Sequence, residues 1–381
     1  MQEKILYVME KEYQPAIWQL PDDFDSEEAF HRAVRRLNMS SSPGYPYLTE
    51  APTNGQWLEF DGVECSIIKL KRLWYDVQQV KDGKFEQILR TFVKSEPHKS
   101  EKADAGRWRL IMATPLCVQI WWHMLFDYMN DLEIEKAYEI PSQQGIQMVN
   151  GGWKLYRQSW LERGLNVGLD KRAWDWTAPE WGIYLELEFR RRMGRGSRMV
   201  EWFFFAQQAY DAMFKYPLIL LSNGWLFRQT VPGVVKSGGV NTTSTNSHLQ
   251  VIVHIPACLL QRVSYYPLPV CCGDDTLQQK EQTLDLDAYR RFGVVIKTAT
   301  EGLEFVGHDF QEQGPVPLYL SKHLKRVGYV SDALLPQYLD SMARLYCHSP
   351  LFSFWERLAN DLGLQLPLSR NGYLYWYDVG E

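Results

Sequence analysis

Asp170, Asp274 and Asp275 are the residues whose types and spacing point first to chemistry. Asp274 and Asp275 follow Gly273, between the apolar run Tyr265 to Cys272 and the polar Thr276-Leu277-Gln278, so two adjacent carboxylates sit on a tight turn after an expected strand. A glycine at the first position of a two-residue hairpin loop supplies the positive φ such a turn needs. Side by side, two carboxylates repel unless a cation lies between them. Mg²⁺ prefers oxygen ligands, keeps several waters and is commonly held by one or two carboxylates plus substrate phosphates. A solvated turn has the same composition, so the tripeptide needs company to carry meaning. Asp170 supplies it at the end of a short strand expected from Asn166 to Leu169. If that strand lies beside the hairpin, Asp170 meets Asp274 at one end of a sheet. Three carboxylates sharing two divalent cations can clamp the attacking and leaving oxygens of an in-line phosphoryl displacement.

The elements that must hold these side chains can be read around them. After Asp175, Thr177-Ala178-Pro179-Glu180 has the order of a helix start, with Thr177 as N-cap, and the helix is expected to run to Gly194. A second helix is expected between Met199 and Met213. Trp225 to Val235 alternates around a Pro232-Gly233 turn, and Ser237-Gly238-Gly239 opens a loop. From Asn241 to Ile255 the residues conflict: Thr242 to Ser247 are poor helix formers, yet Leu249, Ile252 and Val253 follow at helical spacing. Such local conflict tends to mark a functional face. A helix over Leu286 to Phe292 and a strand over Val294 to Lys297 complete the order strand, helix, helix, strand, strand, helix, strand.

Composition narrows the setting. With 45% hydrophobic and 14% aromatic residues the chain has ample material for a core, and its 381 residues allow two or three domains or one divided one. A formal charge of −5 excludes a uniformly basic nucleic-acid binder, so such contacts must come from local patches. Three are visible: Lys94 to Arg109, Arg190 to Arg198, and Lys322 to Arg326, each equally readable as a solvated face. The six cysteines form no CxxC pair, and His98, His248 and His308 have no ligand spacing, so neither a disulfide framework nor zinc is expected. The charged start Met1-Gln2-Glu3-Lys4 lacks a signal-peptide pattern, and no apolar stretch is long enough to predict a transmembrane segment.

Taken in order, these segments resemble the motifs of viral RNA-dependent RNA polymerases of the positive-strand group. Asp170-Lys171-Arg172-Ala173-Trp174-Asp175 resembles motif A, Ser237-Gly238 with Thr242 and Asn246 motif B, and Gly273-Asp274-Asp275 motif C. Gly293 to Lys297 is similar to motif D, and Leu303 to Gly307 to motif E. Lys94-Ser95-Glu96-Pro97-His98 with Arg107 to Ile111 is similar to motif F, and Ser41 to Tyr47 to motif G. Trp174-Asp175-Trp176 and the Lys-Ser-Glu-Pro-His segment resemble most the sobemovirus and polerovirus-like (solemovirid) polymerases.

The resemblance implies an α+β right-hand polymerase with fingers, palm and thumb, its RRM-like antiparallel palm sheet backed by helices. The expected division is fingers with N-terminal fingertips at 1–160, palm at 161–198 (motif A), a fingers insertion at 199–236, palm at 237–310 (motifs B to E) and thumb at 311–381. It implies Asp170, Asp274 and Asp275 as ligands of Mg²⁺, with Mn²⁺ able to substitute, and Lys297 as proton donor to departing pyrophosphate. Asp175, Ser237, Thr242 and Asn246 are implied to read the ribose 2′-OH, Lys94, Arg107 and Arg109 to bind the triphosphate, and Ser41, Gly44, Gly238 and Gly239 to meet the RNA template. Glu96, Glu101 and Asp104 offer local partners to the same cations. Implied partners are template and nascent RNA, NTPs, and a genome-linked protein or other viral replication proteins. The implied location is the host cytoplasm, at membrane-associated replication complexes reached through partners. Two rivals stay open: a reverse transcriptase, disfavoured by Asn246 and Ser237-Gly238, and a non-catalytic RNA-binding scaffold, disfavoured by intact Asp170, Asp274 and Asp275.

Overall fold

The structure, a computed structural model, describes residues 1–380. Strands Ile88–Val93 (β1) and Leu110–Ala113 (β2) pair antiparallel, Arg90 opposite Ala113 and Val93 opposite Leu110. Helix Leu116–Glu135 (α1) follows immediately, its Pro115 N-cap preset for helix entry, and is buried along much of its length through Trp121, Trp122, Leu125 and Phe126. Next come helix Gly152–Glu162 (α2), strand Val167–Lys171 (β3), and helices Glu180–Met193 (α3) and Met199–Phe214 (α4). Strands Leu218–Leu221 (β4) and Leu226–Arg228 (β5) then return to the first pair, β4 running parallel to β1, which gives the sheet order β2-β1-β4-β5.

Helix Thr242–Gln261 (α5) leads to strands Val270–Cys272 (β6), Asp275–Gln278 (β7) and Ile296–Glu301 (β8). With β3 they form an antiparallel sheet of order β8-β3-β7-β6. β3 is the inner strand that makes this possible: Val167, Gly168 and Leu169 are all buried, as a strand covered on both faces requires. α3 and α5 pack together in the main core, with Ile183 and Leu187 of α3 and Leu249, Ile252 and Val253 of α5 buried in it. A three-stranded sheet of Glu304–Phe305 (β9), His308–Gln311 (β10) and Gly314–Pro317 (β11) continues into helix Leu320–Val327 (α6) and three further helices, the last being Arg370–Asp378. A second core joins Trp153, Tyr156 and Trp160 of α2 to Phe305, Phe310, Tyr373 and Tyr377. Thus α2 packs with the C-terminal region. No described helix is long and apolar enough to cross a membrane.

Several expectations need correction. Thr177 does not cap α3: it closes the single turn Trp174–Thr177, its hydroxyl donating toward Ala173 O and Trp174 O, while Pro179 takes the N-cap position without a side-chain cap. The cause is Ala178, held at ψ 116°, since the residue before a proline is forced out of the helical region. The helix expected over Leu286 to Phe292 is present with those bounds and winds as a 3₁₀-helix. The strand expected to stop at Lys297 continues to Glu301 because its backbone is paired to β3, with a register break between Ile296 and Thr298. Polar Thr298 and Thr300 gave no apolar alternation by which to extend it.

The polar run in α5 is buried as a continuous helix. Arg190 of α3 donates to Glu186 (2.6 Å), to Asn130 (2.9 Å) of α1 and to Ser244 (2.8 Å) of α5. His248 of α5 bridges Glu186 (2.7 Å) and Glu133 (2.6 Å), and Tyr210 of α4 donates to Glu186. Four helices are tied by one charge-compensated cluster.

Gly238 sits beside β2 in an isolated parallel bridge with Ala113, where a Cβ would collide with the Met112 carbonyl. Gly238→Ala is therefore expected to destabilise the protein by about 1–3 kcal/mol, the usual cost of overpacking against backbone, measurable as a lowered denaturant midpoint.

Candidate active site

β3 and β7 pair up to Leu169 opposite Thr276, so Asp170 and Asp275 emerge together at the next position, beside Asp274 in the β6–β7 turn. Gly273 adopts φ +63° there, and the turn is fastened to α5 by its N–H donating to Ser247 Oγ (2.9 Å) and its carbonyl accepting from Gln250 (3.2 Å). Asp275 is pushed up to about 6, first by burial and then by the charges of Asp274 and Asp170, against relief from Lys171 and the Val306 N–H. Raised carboxylate pKa values of this origin mark a concentration of negative charge that a divalent cation would relieve.

Asp170 and its neighbour divide across the strand, as alternation requires. The exposed Asp170 accepts a 2.6 Å ion pair from Lys297 of β8, whereas Lys171 points inward, its Nζ donating to Thr276 Oγ1 at 2.9 Å. Burial lowers Lys171 to about 8, opposed by Cys271 and the three aspartates. No three described His, Cys, Asp or Glu side chains are gathered to metal-holding distance as they stand. The donor set nonetheless fits oxygen-seeking Mg²⁺ or Mn²⁺: three carboxylates at one sheet end, with exposed Asp170 paired to Lys297 in this arrangement.

Asp175 and Asn246, distant in sequence, are joined by a hydrogen bond from Asn246 Nδ2 to Asp175 Oδ1 (2.9 Å). Trp174 orients the amide by donating its Nε1 proton to Asn246 Oδ1 (2.9 Å). Burial raises the Asp175 pKa, Asn246 and Arg109 lower it, and Asp274 adds to the rise, which puts this pair within electrostatic reach of the carboxylate cluster. The other two expected ribose readers are not brought to it. Ser237 is exposed and donates to Leu110 O (2.8 Å), and Thr242 donates to Lys236 O (2.7 Å) and Gly239 O (2.8 Å). Both hydroxyls hold the loop before α5, because local backbone acceptors lie nearest to them.

Lys94 and Arg109 lie at the facing ends of β1 and β2, where the Lys94 N–H donates to Arg109 O (2.8 Å). Both side chains converge on Glu96, at 3.2 Å and 2.7 Å, and these cations together hold Glu96 below its ordinary range despite partial burial. Lys322 of α6 also reaches Glu96 electrostatically. Arg107 is exposed, with no side-chain hydrogen bond or ion pair among the described residues. Ser41 and Gly44 belong to a segment fixed to the start of α1 by Leu116 N–H donating to Pro43 O (2.8 Å). Gly238 and Gly239 lie on the other side of β2, in the loop that Ser237 and Thr242 fasten.

The sequence profile described as viral RNA-dependent RNA polymerase matches residues 8–281, a span containing every one of these groups except Lys297, Val306 and Lys322. The chain belongs to that family. Protein P2-P3 of Poinsettia latent virus is 31% identical over 378 residues, covering 90% of this chain and 32% of that protein. Protein P1-P2 of Potato leafroll virus is 27% identical over 371 residues, covering 88% of this polymerase chain and 33% of that protein. The chain thus spans about a third of the length of the curated relatives it matches. Relatives from both poleroviruses and sobemoviruses agree with the subgroup suggested by motifs A and F. In fold, the Sicinivirus 3Dpol RNA-dependent RNA polymerase superposes with a TM-score of 0.74 at 16% identity, covering 97% of this chain and 84% of that one. The right-hand polymerase fold is therefore established.

Three groups at the site are not legible, or only partly legible, in the sequence. Lys171 was passed over because a lysine is rarely buried. Glu96, one of three acidic neighbours the sequence offers, gathers two of the three implied triphosphate cations, Lys94 and Arg109. Val306, at φ +45° in the β9–β10 turn, is one of the groups that favour the charged form of Asp275. A β-branched residue with positive φ is a strained placement, and nothing in its identity announces it.

Proposed function

We propose that this chain catalyses template-directed RNA synthesis, in which the 3′-OH of a growing RNA attacks the α-phosphate of an incoming ribonucleoside triphosphate and pyrophosphate departs. The observation that carries this is the meeting of Asp170 with Asp274 and Asp275 at one end of an antiparallel sheet, beside the Asn246–Asp175 pair. Divalent cations bound by the three carboxylates supply charge neutralisation at the transferring phosphoryl group and lower the pKa of the attacking hydroxyl.

The chain's own side chains do the rest. Asn246 and Asp175 present a prepaired amide and carboxylate to the ribose 2′-OH, and a deoxyribose would leave these partly buried groups unsatisfied. Arg109 and Lys94 exchange Glu96 for the triphosphate, Arg109 by its planar fork and Lys94 as a point charge, and exposed Arg107 adds a third cation. Lys297, once Asp170 turns away from it, stands free to protonate pyrophosphate. Ser41, Gly44, Gly238 and Gly239 flank β2 and the start of α1, which suits a template path along that edge.

In this reading the β2-β1-β4-β5 sheet is the fingers, uniting 1–160 with the insertion 199–236; segments 161–198 and 237–310 form the palm, and 311–381 the thumb, with α2 packed against it. A genome-linked protein and other viral replication proteins are the proposed partners, acting with the chain at cytoplasmic membrane-associated complexes. The test is sugar selectivity on a primed RNA template. Asn246→Ala is expected to reduce the preference for ribo- over deoxynucleotides by about 10–100-fold, the worth of one hydrogen bond involving a charged group. An unchanged preference in a folded variant would remove Asn246 from ribose reading.

A further inference from the structure

Lys171 is 6% exposed and makes a single hydrogen bond among the described residues, to Thr276 Oγ1 at 2.9 Å; its only other cation partner is the Trp174 ring at 5.7 Å. No carboxylate lies within ion-pairing distance of it among the described residues, although Asp170 is its chain neighbour. An ammonium buried this way is costly to fold around, because one hydroxyl and one ring return little of its hydration. It lies nonetheless beneath the sheet end that carries the carboxylates: Asp170 precedes it on its own strand, and the Thr276 it bonds is the residue after Asp275 on the paired strand. Lys297 differs in kind: it pairs with Asp170 at the surface, with 61% of its side chain exposed, and can swing away. Lys171 cannot leave.

We propose that Lys171 is a resident counter-charge that shares the three catalytic carboxylates with the divalent ions and so keeps those ions weakly held until a triphosphate arrives. The inference rests on the polymerase reading of the carboxylates. Lys171 partly neutralises the cluster in the free protein and repels an incoming cation at the same time. The negative charge that makes up the difference comes with the nucleotide, so metal and triphosphate are captured together. Lys171 is in this sense a positioning residue, one that touches no reacting atom.

The size of the effect follows from Coulomb's law. Coulomb energy falls only inversely with distance, so at an effective dielectric of about 20 a buried unit charge on the strand residue next to a ligand changes the binding of a divalent ion by about tenfold or more. Free Mn²⁺, followed by its electron paramagnetic resonance signal at pH 7, measures binding to the chain alone without any turnover. Lys171→Met, close in length and uncharged, is expected to bind Mn²⁺ at least about tenfold more tightly than the natural chain and to unfold at a higher temperature. Lys171→Arg, which keeps the charge, is expected to stay near the natural affinity; if the larger head group is not accommodated and the variant unfolds, the Met variant alone decides. Unchanged or weaker Mn²⁺ binding in folded Lys171→Met overturns the proposal. Failure of the underlying reading is distinguishable: in that case Asp274→Ala would also leave Mn²⁺ binding unchanged, since the carboxylates would not be the metal ligands at all.

Discussion

Asp274→Ala is expected to lower single-nucleotide incorporation by at least about 10³-fold while leaving the folded state intact. The turn that carries Asp274 is held by backbone and by Ser247 and Gln250, none of which depends on the aspartate side chain, and the side chain is exposed. Removing it should therefore spare stability and relieve repulsion, since Asp275 is pushed up to about 6 in part by Asp274. The loss falls on catalysis, because a cation ligand at the transferring phosphate is worth several kcal/mol and each 1.36 kcal/mol is tenfold in rate. Quench-flow measurement of one incorporation, with the unfolding temperature recorded alongside, separates the two. A variant that retains more than about a tenth of the natural rate would mean that Asp274 does not hold the metal.

The largest stability effect is expected from the buried cluster under the active site. Glu186 is wholly buried, accepts from Arg190, His248 and Tyr210, and is held down at about 2 despite its burial by the charges of Arg190 and His248 and the Tyr210 hydroxyl. Glu186→Ala leaves the Arg190 charge without its carboxylate and His248 with Glu133 alone, so a cost of about 3–5 kcal/mol is expected. The pH dependence has a definite sign. Glu186 has a folded pKa below its ordinary 4.5, so its contribution is present above about that value and is lost as pH falls toward 2. His248 is raised above its ordinary 6.5, chiefly by Glu133 against the opposing effect of burial. Its contribution is complete below 6.5 and is lost as pH rises through the elevated folded value. Stability should therefore be greatest between about 4.5 and 6.5 so far as this cluster is concerned, and Glu186→Gln should flatten the acid side. Urea titrations across pH measure this, and an acid limb of unchanged slope in the Gln variant would contradict the assignment.

The sequence made the frame of the site readable because its parts obey local rules. Gly273 announces a turn, the apolar run before it a strand, and Asn166 to Leu169 a second short strand, whose inner place in the sheet the fold supplies. The polar run Thr242 to Ser247 looked inconsistent with a helix, and the inconsistency was informative: Ser244 and His248 serve the buried cluster, and Asn246 meets Asp175. What local rules could not supply was competition among partners. Ser237 and Thr242 were expected at the ribose, but each had a carbonyl closer at hand. Of the acidic neighbours offered to Lys94 and Arg109, the composition could not say which would take them, and in the fold it is Glu96 that lies between them. Thr177 fits the pattern of an N-cap, and Pro179 displaced it by straightening Ala178. Lys171 and Val306 break ordinary preferences outright, one by burial and one by backbone conformation, and only tertiary structure discloses such departures.

The most direct test of the central claim is extension of a labelled RNA primer on an RNA template by the purified chain, with Mg²⁺ or Mn²⁺ and one nucleotide at a time. The account predicts that the complementary ribonucleotide alone is added, that its deoxy counterpart is added at least about a hundredfold more slowly, and that chelating the metal stops the reaction. Addition of deoxynucleotides at comparable rates, or addition that ignores the template base, would contradict it.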